Sequence, residues 1–156
     1  MSISSSEIRG VLIPFTGGRL LLPNASVAEV ITYTTPEPVP DAPPWLLGRI
    51  AWRGWRLPLL AYAVFTGLAA EEGSTHARVA VLKALGGNPR LPYLALLTQG
   101  FPRLITLTPE IIMPAGSGEE PPAPGVRSEV VVRDEPALIP DLAALEAGLQ
   151  AATAAA

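Results

Sequence analysis

The hydrophobic positions of this chain come in short runs that are separated by glycine and proline. Residues 10–15 and 19–22 are apolar runs on either side of Gly17-Gly18, a spacing that predicts a β-hairpin with a tight turn. The β-branched residues that follow favour a third strand from Val27 to Tyr33. Five prolines within residues 34–44 predict a stiff, extended connecting loop, and a proline-rich ligand for another domain is the alternative interpretation.

The clearest strand pattern lies between residues 45 and 60. Residues 49–52 alternate polar or small side chains with large apolar ones, which is the two-residue period of a strand. Arg53 and Gly54 predict the turn of a hairpin, because glycine adopts positive φ without steric cost. Trp52 and Trp55 are then expected to pair across the two strands, with Arg53 projecting from a rigid tip.

The remaining pattern predicts more short strands and a terminal helix. Further strands are expected at 78–85, 91–98, 101–107, 126–133 and 136–139, with a helical turn ending at Gly67. Asp141 is a candidate N-cap for a helix whose apolar stripe is Leu142, Leu145 and Leu149. The sequence therefore predicts a mainly β fold of small-barrel type, with one domain at 8–150 and flexible termini at 1–7 and 151–156.

Composition narrows the class of protein. The chain is 49% hydrophobic and 16% charged, which favours a folded core over disorder. Its 18 prolines, where roughly 8 are typical of this length, suit many short strands better than a helical bundle. Residues 1–10 show no secretory signal, and no apolar stretch is long enough to span a membrane. We therefore expect a cytoplasmic protein without membrane insertion.

Charge and chemistry indicate a protein-binding module. Residues 42–109 carry seven cations and two acids. This uneven distribution of charge either attracts a protein partner of opposite charge or only improves solubility. The cations are scattered and the pI is near 5.1, so nucleic-acid binding is not expected. His76 is the only histidine and there is no cysteine, so we expect no metal site and no cofactor.

No reaction class emerges from the remaining polar residues. The pairs Glu71-Glu72 and Glu119-Glu120 lie in predicted loops, where we expect them to be solvated rather than to act as an acid and a base. Phosphate-loop and Gly-x-Ser-x-Gly patterns are absent from the sequence. The expectation is a non-enzyme with no catalytic residues and no small-molecule substrate.

The order of the motifs resembles one known family. Val27-Ala28-Glu29-Val30-Ile31 precedes the proline loop, and Pro44-Trp45-Leu46-Leu47-Gly48-Arg49-Ile50-Ala51-Trp52-Arg53-Gly54 follows it. Leu57-Pro58-Leu59-Leu60 comes next. This succession resembles the CheW-like family along most of the chain, and residues 48–54 are the most specific match.

The resemblance implies two five-stranded, SH3-like barrel lobes with a C-terminal helix and no enzymatic activity. It also implies an adaptor that couples the cytoplasmic tip of a chemoreceptor to a CheA-type histidine kinase at membrane-associated chemosensory arrays. By position, the residues assigned to partner binding are Val27, Glu29, Val30, Arg53 and Gly54. Their plainer interpretations are core packing for the two valines, backbone shape for Gly54, and a surface salt bridge for Glu29 and Arg53.

Three positions depart from the family pattern. Ala51 stands where the family has Asn, Ala61 where Asp normally follows the hydrophobic run, and Thr98 near the usual Val-Asp-Glu-Val segment. These changes suggest a divergent paralogue, such as the second (ChpC-type) CheW-like protein of a type IV pilus system for twitching motility. The alternatives are a member that modulates or competes with another adaptor without binding kinase, and a small-ligand-binding barrel.

Overall fold

The computed structural model describes residues 7–71, 73, 75–115 and 123–154. Within this part of the chain there are eleven β-strands and two α-helices. In chain order the elements are β1 (Ile8–Phe15), β2 (Gly18–Pro23), β3 (Val27–Thr32), β4 (Leu46–Trp52), β5 (Trp55–Leu60), α1 (Tyr62–Thr66), β6 (Arg78–Lys83), β7 (Tyr93–Thr98), β8 (Arg103–Leu107), β9 (Ile112–Pro114), β10 (Val126–Val132), β11 (Glu135–Pro140) and α2 (Leu142–Ala154).

The strands form two barrel-like lobes with the same internal pairing. The first lobe has the strand order β8-β1-β2-β11-β10-β9, and the second has β3-β6-β7-β5-β4. In each lobe two antiparallel hairpins are joined by one parallel pair, β2 with β11 and β5 with β7. The predicted two-lobed, mainly β fold with a C-terminal helix is confirmed. The first sheet has six strands rather than five, because the three-residue β9 adds to β10.

Strands β1, β2, β6 and β7 are buried on both faces, and this joins the lobes. Val79 and Val81 of β6 lie in the core of the second lobe, whereas Ala80 and Leu82 lie in a larger core shared by both sheets. In β1, Leu12 faces the core of the first lobe and its neighbours face the shared core. Because both faces are covered, these strands are continuous apolar runs rather than alternating ones.

The turns of the β4–β5 and β10–β11 hairpins have the same geometry. Arg53 and Gly54 have φ of 46° and 82°, and Arg133 and Asp134 have φ of 47° and 70°. Two consecutive positive φ values indicate a type I′ turn, whose twist matches that of the flanking strands. The predicted pairing of Trp52 with Trp55 is confirmed. The second turn lies one residue earlier than the gap between the predicted strands 126–133 and 136–139.

Each of these hairpins leads into a helix. Gly67 ends α1 with φ of 78°, as predicted, and the carboxylate of Asp141 caps α2 by accepting the N–H of Ala144 at 3.1 Å. Leu145 and Leu149 are buried in the shared core. Helix α2 continues through residues 151–154, which belong to the segment 151–156 expected to be a flexible terminus. Of the two predicted termini, residues 1–6 and 155–156 lie outside the described residues.

Polar contacts also cross between the lobes. Tyr62 of α1 packs edge-on against Phe15 of β1 at 5.1 Å between ring centroids and donates its hydroxyl to the Gly125 carbonyl at 2.8 Å. The prediction that Glu71 is solvated is wrong, because its side chain is 5% exposed and accepts the Thr16 N–H at 2.7 Å. Its neighbour Glu72 and the predicted pair at 119–120 lie outside the described residues.

Gly48 occupies a position that a larger residue cannot take without displacing backbone. Its φ is +144°, and an added Cβ would lie 2.4 Å from the carbonyl oxygen of Glu37. Glu37 and Arg49 exchange two backbone hydrogen bonds there, which attaches the proline loop to β4.

We expect Gly48→Ala to lower the free energy of unfolding by about 3 kcal/mol, measured by urea denaturation. The control Gly54→Ala meets open space and should cost only about 1 kcal/mol; equal losses would contradict this reasoning.

Tyr62 should make stability depend on alkaline pH. Burial, followed by the nearby Asp141 carboxylate, raises the pKa of Tyr62 above its ordinary value of 10.0. Its stabilising contribution is therefore complete below pH 10 and is lost as pH rises from there towards the raised pKa of the folded state. Tyr62→Phe should lose about 1 kcal/mol at pH 7 with its hydrogen bond. Between pH 10 and 11 the unfolding free energy of Tyr62→Phe should fall less steeply than that of the wild type. The difference in slope should be up to about 1.4 kcal/mol per pH unit. Parallel curves for the two proteins would show that Tyr62 does not cause the loss of stability at alkaline pH.

Candidate functional site

The structure brings together the two charged residues that the sequence singled out. Glu29 lies on β3 and Arg53 at the tip of the β4–β5 hairpin, and β3 and β4 are the outer strands of the second sheet. The Glu29 carboxylate Oε1 accepts hydrogen bonds at 3.0 Å from both Arg53 Nη2 and Trp52 Nε1. One carboxylate oxygen therefore links the two outer strands through side chains.

Arg53 is held in place from several directions. Its guanidinium lies 4.9 Å from the centre of the Trp52 ring, and that ring packs edge-on against Tyr93 at 4.8 Å. Trp52 is only 8% exposed, whereas the Arg53 side chain is 69% exposed. The tip thus presents a positive charge on a buried aromatic support, an arrangement suited to recognition by a protein partner.

The other predicted binding residues have different surroundings. Val27 is half-buried and packs against the shared core, in agreement with its plainer interpretation. Val30 is half-buried on β3 opposite Ala80. Gly54 is exposed and supplies the positive φ that completes the turn.

Sequence reasoning missed two features of this surface. The indole N–H of Trp52 orients Glu29, a role that spacing alone does not reveal because the two residues are 23 positions apart. Trp55 is 41% exposed beside the tip, although its pairing with Trp52 was predicted. An exposed tryptophan next to an exposed arginine is the composition found at energetically important interface positions. The signal available in the sequence is the segment Trp52-Arg53-Gly54-Trp55 itself.

The three departures from the family pattern occupy unlike environments. Ala51 is exposed on β4 opposite Arg56, which forms an ion pair with Glu37. Ala61 is fully buried at the N-cap of α1, where no side chain caps the helix from that position. Thr98 is also fully buried and donates its hydroxyl to the Gly100 carbonyl at 2.7 Å. Only the change at Ala51 lies on a surface that a partner can touch.

The shape of the molecule does not favour a ligand inside either barrel. Buried side chains of both sheets fill the two lobe cores in the part of the chain that is described. A solvent-open groove of about 500 Å³ lies elsewhere, between α2 and the β6–β7 loop, with Leu85, Arg127 and Glu146 in its lining. The described residues contain no cluster of three or more metal-binding side chains, and none of their helices is long and apolar enough to cross a membrane.

The two sheets together define a double-barrel fold. The model of the CheW-like domain matches residues 9–148, so the chain belongs to the CheW-like family. The fold is similar to that of the scaffolding protein TtCheW from Thermoanaerobacter tengcongensis, with 18% sequence identity and a TM-score of 0.71. That match covers 86% of this chain and 84% of the other. Comparison with curated proteins gives no match.

Glu29 should contribute more to stability than the exposed ion pair suggests. Glu29→Ala leaves the indole N–H of the largely buried Trp52 without its acceptor, so we expect a loss of about 1–3 kcal/mol in the free energy of unfolding. Arg53→Ala removes only an exposed ion pair and should cost less than about 1 kcal/mol. Glu29→Gln, which keeps an acceptor oxygen, serves as the control in urea denaturation. A larger loss for Arg53→Ala than for Glu29→Ala would refute this assignment.

Proposed function

We propose that this protein is a non-catalytic adaptor that couples chemoreceptors to a CheA-type histidine kinase. The observation that carries the proposal is the β4–β5 hairpin tip, where Glu29 and Trp52 hold an exposed Arg53 in a domain of the CheW-like family. A scaffold needs such pre-positioned groups, because side chains that are already ordered lose less entropy on binding.

The surroundings of Arg53 support this assignment more than its backbone does. Arg53 and Arg133 lie in equivalent type I′ turns with almost the same positive φ, 46° and 47°, so the strained backbone is common to both. Arg53 in addition lies over the ring of Trp52 and is bonded to Glu29. The partner-binding surface comprises Val27, Glu29, Val30, Arg53 and Gly54, to which the exposed Trp55 is added.

The charge of this region is consistent with an acidic partner surface. Residues 42–109 carry seven cations and two acids, of which Glu71 is buried, while three of the cations pair with acids outside this range: Arg53, Arg56 and Arg103. Complementary charge increases the rate of association and excludes wrong partners more than it raises affinity. We place the protein in the cytoplasm at chemosensory arrays, with a type IV pilus pathway for twitching motility as the specific setting.

One alternative deserves a separate test, because a specific observation favours it. Ala51 is exposed on β4, near the hairpin tip, where the family pattern has Asn. A member that has lost this polar group would bind the receptor but not the kinase, and would compete with another adaptor. Binding measured separately to a receptor cytoplasmic fragment and to the kinase regulatory domain distinguishes the two functions.

The decisive experiment reverses the charge at the hairpin tip. We expect Arg53→Glu to reduce binding to the kinase regulatory domain by at least about tenfold, since an interfacial like-charge contact costs several kcal/mol. Binding is measured by calorimetry with purified proteins, and circular dichroism checks that the fold survives.

Arg133→Glu is the matched control. Arg133 is exposed at the first position of the equivalent turn in the first lobe and has almost the same φ, 47° against 46°. The control variant should bind as the wild type does. Equal binding of both variants to the kinase would exclude the tip as its contact, and kinase binding by neither variant nor wild type would favour the competitor function.

A further inference from the structure

Two buried carboxylates connect the lobes in a reciprocal way. Among the described residues, Glu71 and Glu146 are the acids with buried side chains, at 5% and 4% exposure. Glu71 follows α1 in the second lobe and accepts the N–H of Thr16, which lies in the β1–β2 turn of the first lobe. Glu146 lies on α2, which follows the first lobe, and accepts N–H groups from the β6–β7 loop of the second lobe.

The two contacts occupy equivalent places in the repeated topology. In each lobe a hairpin, β4–β5 or β10–β11, leads into a helix, and the carboxylate comes from that helix or the segment after it. In each case a backbone N–H donor lies in the turn of a hairpin of the other lobe, β1–β2 for Glu71 and β6–β7 for Glu146. Each lobe therefore holds a turn of its partner lobe by backbone N–H groups.

Both contacts have good hydrogen-bond geometry. Glu146 receives Leu85 N–H at 2.9 Å and Gly86 N–H at 2.8 Å, one on each oxygen. Glu71 receives Thr16 N–H at 2.7 Å and the Gln99 side-chain amide at 3.2 Å on one oxygen, and Ala63 N–H at 3.3 Å on the other. An added Cβ at Gly86 would lie 2.8 Å from Glu146, so this loop is fitted closely to its carboxylate.

Neither carboxylate is explained by stability alone. Removing a carboxylate from water is costly, and an apolar side chain of similar volume is often as stable or more stable in such a place. The shared core already supplies apolar burial between the lobes, but apolar contacts are not directional. Hydrogen bonds to fixed N–H groups are directional, and they discriminate among packing arrangements of similar burial.

We propose that Glu71 and Glu146 are positioning residues that fix the orientation of one lobe relative to the other. They align the hairpin tip that carries Arg53 with the surface of the first lobe. The consequence for partner binding rests on the proposed function, whereas the effect on lobe orientation does not. The test therefore measures orientation directly.

Spin-label distances measure this orientation, and the chain has no cysteine of its own to interfere. One label pair joins the lobes at the exposed positions Thr32 on β3 and Thr106 on β8, and a second pair at Thr32 and Lys83 stays within the second lobe. Glu71→Met and Glu146→Met remove the acceptors while nearly preserving volume. We expect each variant to broaden or shift the distance between the lobes, and the double variant to do so further, with the distance inside one lobe unchanged.

Two further variants separate orientation from a general loss of charge or packing. Glu129→Met removes an exposed carboxylate on β10 and should leave both distances unchanged. Glu71→Gln keeps an acceptor oxygen for Thr16 and should restore most of the wild-type distribution. An unchanged distance between the lobes in the folded double variant would overturn the proposal.

Hydrogen exchange of the wild-type protein provides a test that does not depend on folded variants. The amides of Thr16, Leu85 and Gly86 lie in turns, so their protection should come from the two carboxylates. We expect each to exchange at least about tenfold more slowly than the amide of Gly17, an exposed turn position. Exchange as fast as that of Gly17 would likewise overturn the proposal, whatever the variants do.

Discussion

The apolar core shared by the two sheets is the constraint on which the rest of the structure depends. Strands β1, β6 and β7 contribute one face to it and the other face to the core of their own lobe. A strand in this position cannot alternate apolar and polar residues, since each face is covered. Neither lobe can therefore be removed without exposing a continuous apolar surface on the other. Directional contacts such as those of Tyr62 and Glu71 are arranged around this core and select one orientation from the many that apolar burial alone would permit.

The hairpins could be predicted because their information is local. Gly17-Gly18 and Arg53-Gly54 mark turns by residue type, and Asp141 marks a helix start by the chemistry of capping. The pairing of β2 with β11 and of β5 with β7 could not be predicted from periodicity, because each joins strands that are distant in sequence. The resemblance in residues 44–54 supplied the two-lobed arrangement that local patterns lacked. Strand β9 was missed because three residues between prolines and turns carry too little pattern.

The residues of the candidate site could likewise be predicted only where the sequence pattern is local. Arg53 and Glu29 were found through the family pattern, and the structure shows them bonded to each other. The role of Trp52 in orienting Glu29 depends on the approach of β3 to β4 across the open side of the sheet, a long-range feature. Glu71 was misjudged for a related reason. It lies in a segment whose polar composition predicts exposure to solvent, yet its carboxylate accepts hydrogen bonds from the nearby Ala63 and from the distant Thr16 and Gln99. Local hydrophobicity does not report such a convergence.

Glu71 also explains how the fold accommodates the absence of aspartate at position 61. An acidic side chain at the N-cap would accept an N–H of the first turn of α1, but Ala61 has no group to do so. The Glu71 carboxylate accepts the N–H of Ala63, in that first turn, from ten residues further along the chain. The same carboxylate also accepts the N–H of Thr16 in the first lobe. The substitution therefore moves the cap acceptor from the helix start to a residue that also contacts the other lobe. By contrast, Ala51 is exposed on β4, where no buried polar group needs a partner from this position.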